Sequence, residues 1–441
     1  MSTARSRGTR FKWAGWIVLA LLLLGVVTRT VTGVPLAGVP AGTRLISHGL
    51  EIPGSTIRTV AFSADGRFLA AGYVNTKRGD VKYEFATGIG VYDLVSKKWL
   101  VNRIVDSGTL QYSSSKHRTI EPKFLNYTSD GKRLTVFQGG FVRILDAASL
   151  AEQSHIDLDD LPLYAMGNKQ ARVWDMKVSS VDNKVAVLIG GFPTDISGLL
   201  RVYDLTNSRM TFEWKVQDHL SGASMAFSPD GNKIAVVEPE RGEDWRTSEG
   251  PDVAIFEFNT EGVKLRLNTG PDATASAVFL DNDHLLTVPM WDARHMKRGS
   301  IKFWDINTAK LTREISDAPG GIHGYVDVSK DGKTLLGYIG LNKNSGHFMK
   351  SVTQRFRIWE LPSGKIVADS PEILPLTVDR PQFRLSPDGK TVVALWPEVS
   401  AYQVHPQVFQ LLSSQASVES GTKNNVYGQA VSSVSLESHP E

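Results

Sequence analysis

The side chains in this chain best suited to chemistry are Tyr73, Arg78, Asp80, Tyr83, Arg241, Trp245, Arg246, Trp291, Arg294, His295, Phe348 and Tyr402. They fall between apolar runs, in stretches that read as exposed connections. Aromatic rings and guanidinium groups in such places supply large contact area and fixed donor geometry, so their chemistry is recognition and they are the candidate binding residues. Bond-making needs a nucleophile, a base and a charge stabiliser brought together. The chain has no G-x-S-x-G elbow, no H-E-x-x-H pair and no phosphate loop, since "DGKT" at 331 and 388 lacks the upstream glycine.

Other groups carry less. His219, His284, His295, His323, His347 and His405 are expected on turns or loops, where a solvated imidazole is commoner than a metal ligand. "DLDDL" from Asp157 lacks the carboxylate and glycine spacing of a dedicated calcium loop. Arg78-Gly79-Asp80 matches an adhesion tripeptide and Asn126-Tyr127-Thr128 a glycosylation sequon, both short enough to arise by chance. The chain has no cysteine, which excludes disulfides, thiolate metal sites and thiol nucleophiles. No catalytic residue, metal ligand or cofactor is assigned.

The elements that must position these residues come from a repeat. "FSPDGNKIAVV" at 227 has cousins at 62, 127, 178, 279, 328 and 385, and the Asp leading each turn falls at 65, 130, 182, 230, 281, 331 and 388. A period near 50 with strand patterning means a propeller blade. Each copy reads as a β-hairpin in which Asp bonds its own backbone and Gly or Asn takes positive φ. A second marker follows: "GVYDL" at 90, "RILDA" at 143, "RVYDL" at 201, "AIFEF" at 254, "KFWDI" at 302, "RIWEL" at 357 and "QVFQL" at 407. This is a third strand, and stretches such as "KKWLVNRIV" from Lys97 give the fourth.

The fold class is therefore all-β: a seven-bladed β-propeller of four-stranded antiparallel blades over residues 43–412. The seventh copy lacks a fourth strand, because the chain turns polar after Leu412. Residues 43–50, "TRLISHGL", are expected to complete that blade and close the ring. The first hairpins are tight, whereas second-to-third connections are long: Tyr73–Gly88, Phe192–Gly198, Glu238–Pro251, Pro289–Gly299, Ile339–Gln354 and Pro397–His405. A meander places all of these on one face, with the links 107–121 and 157–171. Only blade two keeps a short hairpin there, through Gly139-Gly140.

Residues 1–12 form a basic tail, and residues 13–28, "WAGWIVLALLLLGVVT", are uncharged and read as a hydrophobic helix, either a transmembrane anchor or a signal peptide. The charge bias keeps the amino terminus cytoplasmic and sends the body across. Residues 29–42 read as a linker and 413–441 as a flexible tail. The net charge of +3 is more than supplied by Arg5, Arg7, Arg10 and Lys12, so the body is nearly neutral and nucleic acid is not the expected partner.

"FSPDG" followed about 25 residues later by "VYDL" or "FWDI" resembles the WD40 repeat and the bacterial TolB-like propellers, over about 370 residues. Trp304-Asp305 alone supplies the signature dipeptide, and the repeated Gly-His is missing. The resemblance implies a binding platform and carries over no catalytic residue. The expected function is a membrane-tethered extracytoplasmic scaffold, in the periplasm or outside the cell, that binds protein partners through the looped face. Secretion after cleavage, a small-molecule ligand in the central channel, and a lactonase-type or hydrolase-type enzyme with an axial metal stand as alternatives.

Overall fold

The structure is a computed structural model that describes residues 43–48, 50, 52–78, 82–111, 121–158, 170–192, 198–216, 224–237, 252–258, 260, 262–270, 274–289, 300–316, 322–342, 352–369, 382–397 and 404–411. All of these belong to the compact unit Val39–Glu441. The apolar run 13–28 lies outside them, and among the described residues no helix is long and apolar enough to cross a membrane.

Among these residues are seven four-stranded antiparallel sheets, six of them simple meanders. Blade one is β2 (Thr56–Phe62), β3 (Phe68–Arg78), β4 (Lys82–Asp93) and β5 (Lys98–Gln111). Blade two is β6 (Lys123–Tyr127), β7 (Arg133–Gln138), β8 (Phe141–Asp146) and β9 (Glu152–Asp157). Blade three is β10 (Gln170–Val178), β11 (Lys184–Phe192), β12 (Leu199–Asp204) and β13 (Arg209–Lys215). Blade four is β14 (Met225–Phe227), β15 (Lys233–Val237), β16 (Val253–Glu257) and β17 (Val263–Leu267). Blade five is β18 (Thr274–Phe279), β19 (His284–Pro289), β20 (Ile301–Asp305) and β21 (Lys310–Ile315). Blade six is β22 (Ile322–Val328), β23 (Thr334–Asn342), β24 (Val352–Glu360) and β25 (Lys365–Asp369). Blade seven joins β26 (Gln382–Leu385), β27 (Thr391–Pro397) and β28 (Val404–Leu411) to β1 (Thr43–His48), which pairs antiparallel with β28.

The first strands touch in cyclic order, β2, β6, β10, β14, β18, β22, β26 and back to β2, so the ring is closed. The core lies between blades. Ala186, Leu188, Leu200 and Val202 of blade three pack on Ile234, Val236, Ala254 and Phe256 of blade four. Leu50, Ile52, Ile57 and Leu69 pack on Val393 and Leu395, carrying the core across the join between the two ends of the domain. A single blade is two-faced and apolar on both faces, so only stacking removes that surface from water.

The repeat "S/T-x-D-G" explains itself locally. In blades one, two, four, six and seven the buried hydroxyl of Ser63, Thr128, Ser228, Ser329 or Ser386 donates to the Asp two residues on. The same oxygen accepts the N–H five residues on. The Asp in turn accepts the N–H of Arg67, Lys132, Asn232, Lys333 or Lys390. Gly66, Gly131, Gly231, Gly332 and Gly389 then take φ between 68° and 71°, where a side chain would be strained. Asn183 and Asn282, expected to do the same, are not left-handed. Blade three instead uses the Ser179 hydroxyl to accept from Asp182 N–H, and blade five the Asp281 carboxylate to accept from Asp283 and His284. Those routes need no positive φ.

Every fourth strand carries one extra residue at the same place. Pairing slips between Val91/Tyr92, Ile144/Leu145, Val202/Tyr203, Ile255/Phe256, Phe303/Trp304 and Ile358/Trp359 of the third strands, and β1 repeats it opposite Val408 and Phe409. The bulged residues are Leu100, Gln153, Thr211, Lys264, Thr312, Val367 and Ile46. At two of them a threonine hydroxyl donates to the opposing strand, Thr211 to Val202 O at 3.2 Å and Thr312 to Phe303 O at 3.0 Å. A bulge twists an outer strand away from further pairing. That β1 shares it marks β1 as a true fourth strand.

Asp65, Asp130 and Asp331 have carboxyls held below the usual range, first by the donated hydroxyls of Ser63, Thr128 and Ser329. Asp93 is held down to about 2, first by Arg67, whose guanidinium lies 3.0 Å away. Groups with depressed folded pKa stabilise the fold above their unfolded pKa, near 4, and lose that contribution as pH falls through the folded value. Stability measured by thermal unfolding should be flat above pH about 5 and fall from about pH 4 toward 2. A triple Asp65→Asn, Asp130→Asn, Asp331→Asn variant should be less stable at neutral pH and show a shallower acid limb; an acid limb as steep as wild type would refute this assignment.

Candidate interaction surface

The two faces of the ring differ in kind. On the face of the first hairpins, neighbouring turns bond to each other. Arg133 donates to Leu205 O at 3.1 Å and Asn183 Oδ1 at 2.6 Å, and Ser180 Oγ to Pro229 O at 2.9 Å. Asp230 N–H donates to Asn282 Oδ1 at 3.0 Å, and Lys330 N–H to Pro387 O at 2.8 Å. These polar groups are committed to one another.

On the opposite face the strands of blade one continue past the body of the ring. β3 and β4 pair rung by rung from Phe68↔Asp93 to Arg78↔Tyr83, and β4 pairs with β5 as far as Lys82↔Gln111. The expected loop Tyr73–Gly88 is therefore mostly strand, paired as far as Arg78↔Tyr83. "VKYEFATG" alternates with a strand's period, and that signal identifies it. Similarly, β23 and β24 pair out to Asn342↔Val352, and β27 and β28 to Pro397↔Val404, within two other expected loops. Blade two keeps its two-residue hairpin, with Gly139 and Gly140 at φ 63° and 95° and Gln138 opposite Phe141.

Among the sequence candidates, Tyr73 needs correction. It lies in β3, 5% exposed, and its hydroxyl meets Asn102 Oδ1 at 2.5 Å. Burial, only partly offset by that hydrogen bond, pushes its pKa up. It is a structural support beneath the extension and cannot anchor a partner directly. Arg78 and Tyr83 face each other across the outermost rung of the hairpin. Asp80, Arg241, Trp245, Arg246, Trp291, Arg294, His295, Phe348 and Tyr402 lie outside the described residues. His323 and His405 fall in β22 and β28 rather than in loops, and His284 stands at the start of β19 with its ring 2.9 Å from Asp281. The sequon's Asn126 is partly buried in β6 with its amide donating to Phe124 O at 2.8 Å.

Residues that sequence reasoning missed hold the extension in place. Gly88 leaves room for Tyr73: a Cβ there would lie 2.2 Å from the Tyr73 hydroxyl and 2.6 Å from Arg103 O. Gly90 likewise accommodates the Trp99 ring, at 2.7 Å. Gln138 of blade two donates its amide to Thr87, whose hydroxyl donates to Asp106 O at 3.2 Å, tying the extension's base to the next blade.

Around the axis the first strands carry a belt of polar contacts between or within blades. Arg58 pairs with Glu121 at 3.1 Å, Lys177 with Asp175 at 3.6 Å and Arg384 with Asp327 at 3.7 Å. Asp175, buried, also accepts Met225 N–H at 3.0 Å, joining blades three and four, just as Thr59 accepts Leu125 N–H at 3.4 Å between blades one and two. Among the described residues no three His, Asp or Glu side chains gather to hold a metal ion.

Three of the exposed apolar residues, Met210, Leu311 and Ile366, occupy the outer-strand positions directly opposite Tyr203, Trp304 and Trp359.

No family model matches the chain, and no curated protein matches it. Among solved structures, a chain of a mitotic checkpoint complex is similar at 17% identity over 85% of this chain and 96% of that one, with a TM-score of 0.54. A chain of hydrazine synthase from Kuenenia stuttgartiensis is similar at 16% identity over 65% of this chain and 77% of that one, with a TM-score of 0.47. Identities this low speak to fold alone. The architecture is that of a seven-bladed β-propeller.

The Gly88–Tyr73 contact is testable by a double-mutant cycle. Gly88→Ala should destabilise wild type by about 1–3 kcal/mol through overpacking. It should cost clearly less in a Tyr73→Ala background, measured by chemical denaturation. Additive costs would show that the two residues do not share space.

Proposed function

We propose that this protein is an interaction scaffold, a WD40-like propeller that binds protein partners on the face bearing the blade-one extension. One observation carries the reading: the turns of one face are hydrogen-bonded to each other, whereas β3, β4 and β5 project from the other. A projecting strand hairpin on a rigid ring is a natural place for contact residues. The likeness of the repeats to WD40 propellers supports the same reading, as does a checkpoint-complex chain of similar fold.

The same proposal includes a tether. Residues 13–28 serve as a membrane anchor, with a cytoplasmic basic tail and the propeller on the extracytoplasmic side. Thr43 pairs with Leu411, so both ends of the propeller leave it on the turn face.

Two measurements test this. A photo-crosslinking residue at exposed Lys77 or Glu84 should give discrete adducts in cells, while one at exposed Lys132 or Lys390, on the turn face, should not; adducts only from the turn face would overturn the assignment of the binding face. Because the chain has no cysteine, Lys132→Cys offers a single label. A membrane-impermeant maleimide applied to cells with a permeable outer layer should modify it without lysis; labelling only after lysis would place the propeller in the cytoplasm.

A further inference from the structure

The outer strands of six blades are 5–7 residues long and bulged in the middle, but β5 has 14 residues. It has a bulge at Leu100 and a second at Val105, then runs on without irregularity from Asp106 to Gln111 against Lys82–Thr87. That last segment is the outermost strand of its sheet, and Ser107, Gly108 and Thr109 are exposed. Among the described residues this segment, 106–111, holds no lysine, no proline and no bulge. The main-chain donors and acceptors of such an edge can be matched by another strand.

The side chains say which strand. Phe85, half-buried on β4, lays its ring over Gly108, the ring tip standing 3.2 Å from where a Cβ would be. Beyond the glycine the described sheet ends, so the ring lies over an edge position that has no side chain of its own. A two-fold axis through Gly108 would set the two glycines opposite each other. The row across the new sheet would then read Phe85, Gly108, Gly108 of the second copy and its Phe85. Three strand spacings of about 4.8 Å separate the two Phe85 backbones by about 14 Å, and each ring already leans inward by one strand, so the rings meet over the glycine pair. The same register sets Ser107 opposite Thr109 twice, a favourable hydroxyl pairing, and sets Asp106 opposite Leu110 rather than against another charge.

We propose that the occupant of this edge is a second copy of the chain, bound by antiparallel β5–β5 pairing about Gly108 to form a continuous six-stranded sheet. The contact is isologous and therefore closes at two subunits. It stands apart from the scaffold reading, which concerns other proteins.

The test uses the full-length chain in mild detergent. Sedimentation should show a dimer with a Kd on the order of 10 µM or tighter. Gly108→Lys, which opposes two like charges at the axis, should weaken it at least about tenfold with an unchanged melting temperature. Gly108→Cys should form an intermolecular disulfide on mild oxidation, since directly opposed positions lie about 5 Å apart, while Lys390→Cys should not. A monomer at all concentrations, a dimer untouched by Gly108→Lys, or equal crosslinking at both cysteine positions would each overturn the proposal. Should Gly108→Lys lower the melting temperature, the crosslinking comparison decides alone.

Discussion

The structure depends on the pairing of β1 with β28. A ring of sheets has one seam, and what crosses the seam decides whether the ring holds. Here it is crossed by a strand taken from the start of the domain, Thr43–His48, hydrogen-bonded along the end of the domain, Val404–Leu411. Without it blade seven would be a three-stranded sheet with β28 as a bare edge. With it, the two ends of the described chain stabilise each other, and the apolar cluster of Leu50, Ile52, Val393 and Leu395 is enclosed.

From that closure follows the division of labour between faces. Once the ring is fixed, four-strand meanders must put first and third turns together on one side. The side of the first turns is knit by buried hydroxyls and lowered-pKa carboxylates that bond to main chain, and by contacts between adjacent turns. The other side is free to vary in length, and blade one uses this freedom to raise a three-stranded extension. The bulge repeated in every described outer strand completes the logic: edges are blunted around the rim, and among the described residues β5 alone runs past its bulges to leave a regular edge.

The fold was legible because its signals are local and repeated. "SPDG" encodes a hydroxyl, a carboxylate and a left-handed glycine in a single turn, and seven near-copies at a period near 50 leave few architectures. Even the borrowed strand was legible, from a missing fourth strand in the last copy. The candidate site was less so. Treating Tyr73–Gly88 as loop gave too much weight to its charged residues and too little to its alternation, and so placed Tyr73 in solvent when Asn102 and the void at Gly88 hold it inside. Bulges are likewise silent in sequence, since the bulged positions, Leu100, Gln153, Thr211, Lys264, Thr312, Val367 and Ile46, share no single residue type and no turn signal. The anchors proposed at Arg241, Trp245, Trp291 and their neighbours fall beyond the described residues, and strand periodicity does not address them.

The account's central claim is tested most directly by linking the seam covalently. In this cysteine-free chain, Arg44→Cys and Gln410→Cys occupy directly opposed positions of β1 and β28. The account predicts that oxidation gives an intramolecular disulfide in nearly all folded molecules and raises the thermal midpoint, with stabilisation on the order of 4 kcal/mol for so long a closed loop. Failure of the two thiols to join in the folded protein, or a link that leaves the midpoint where it was, would contradict it.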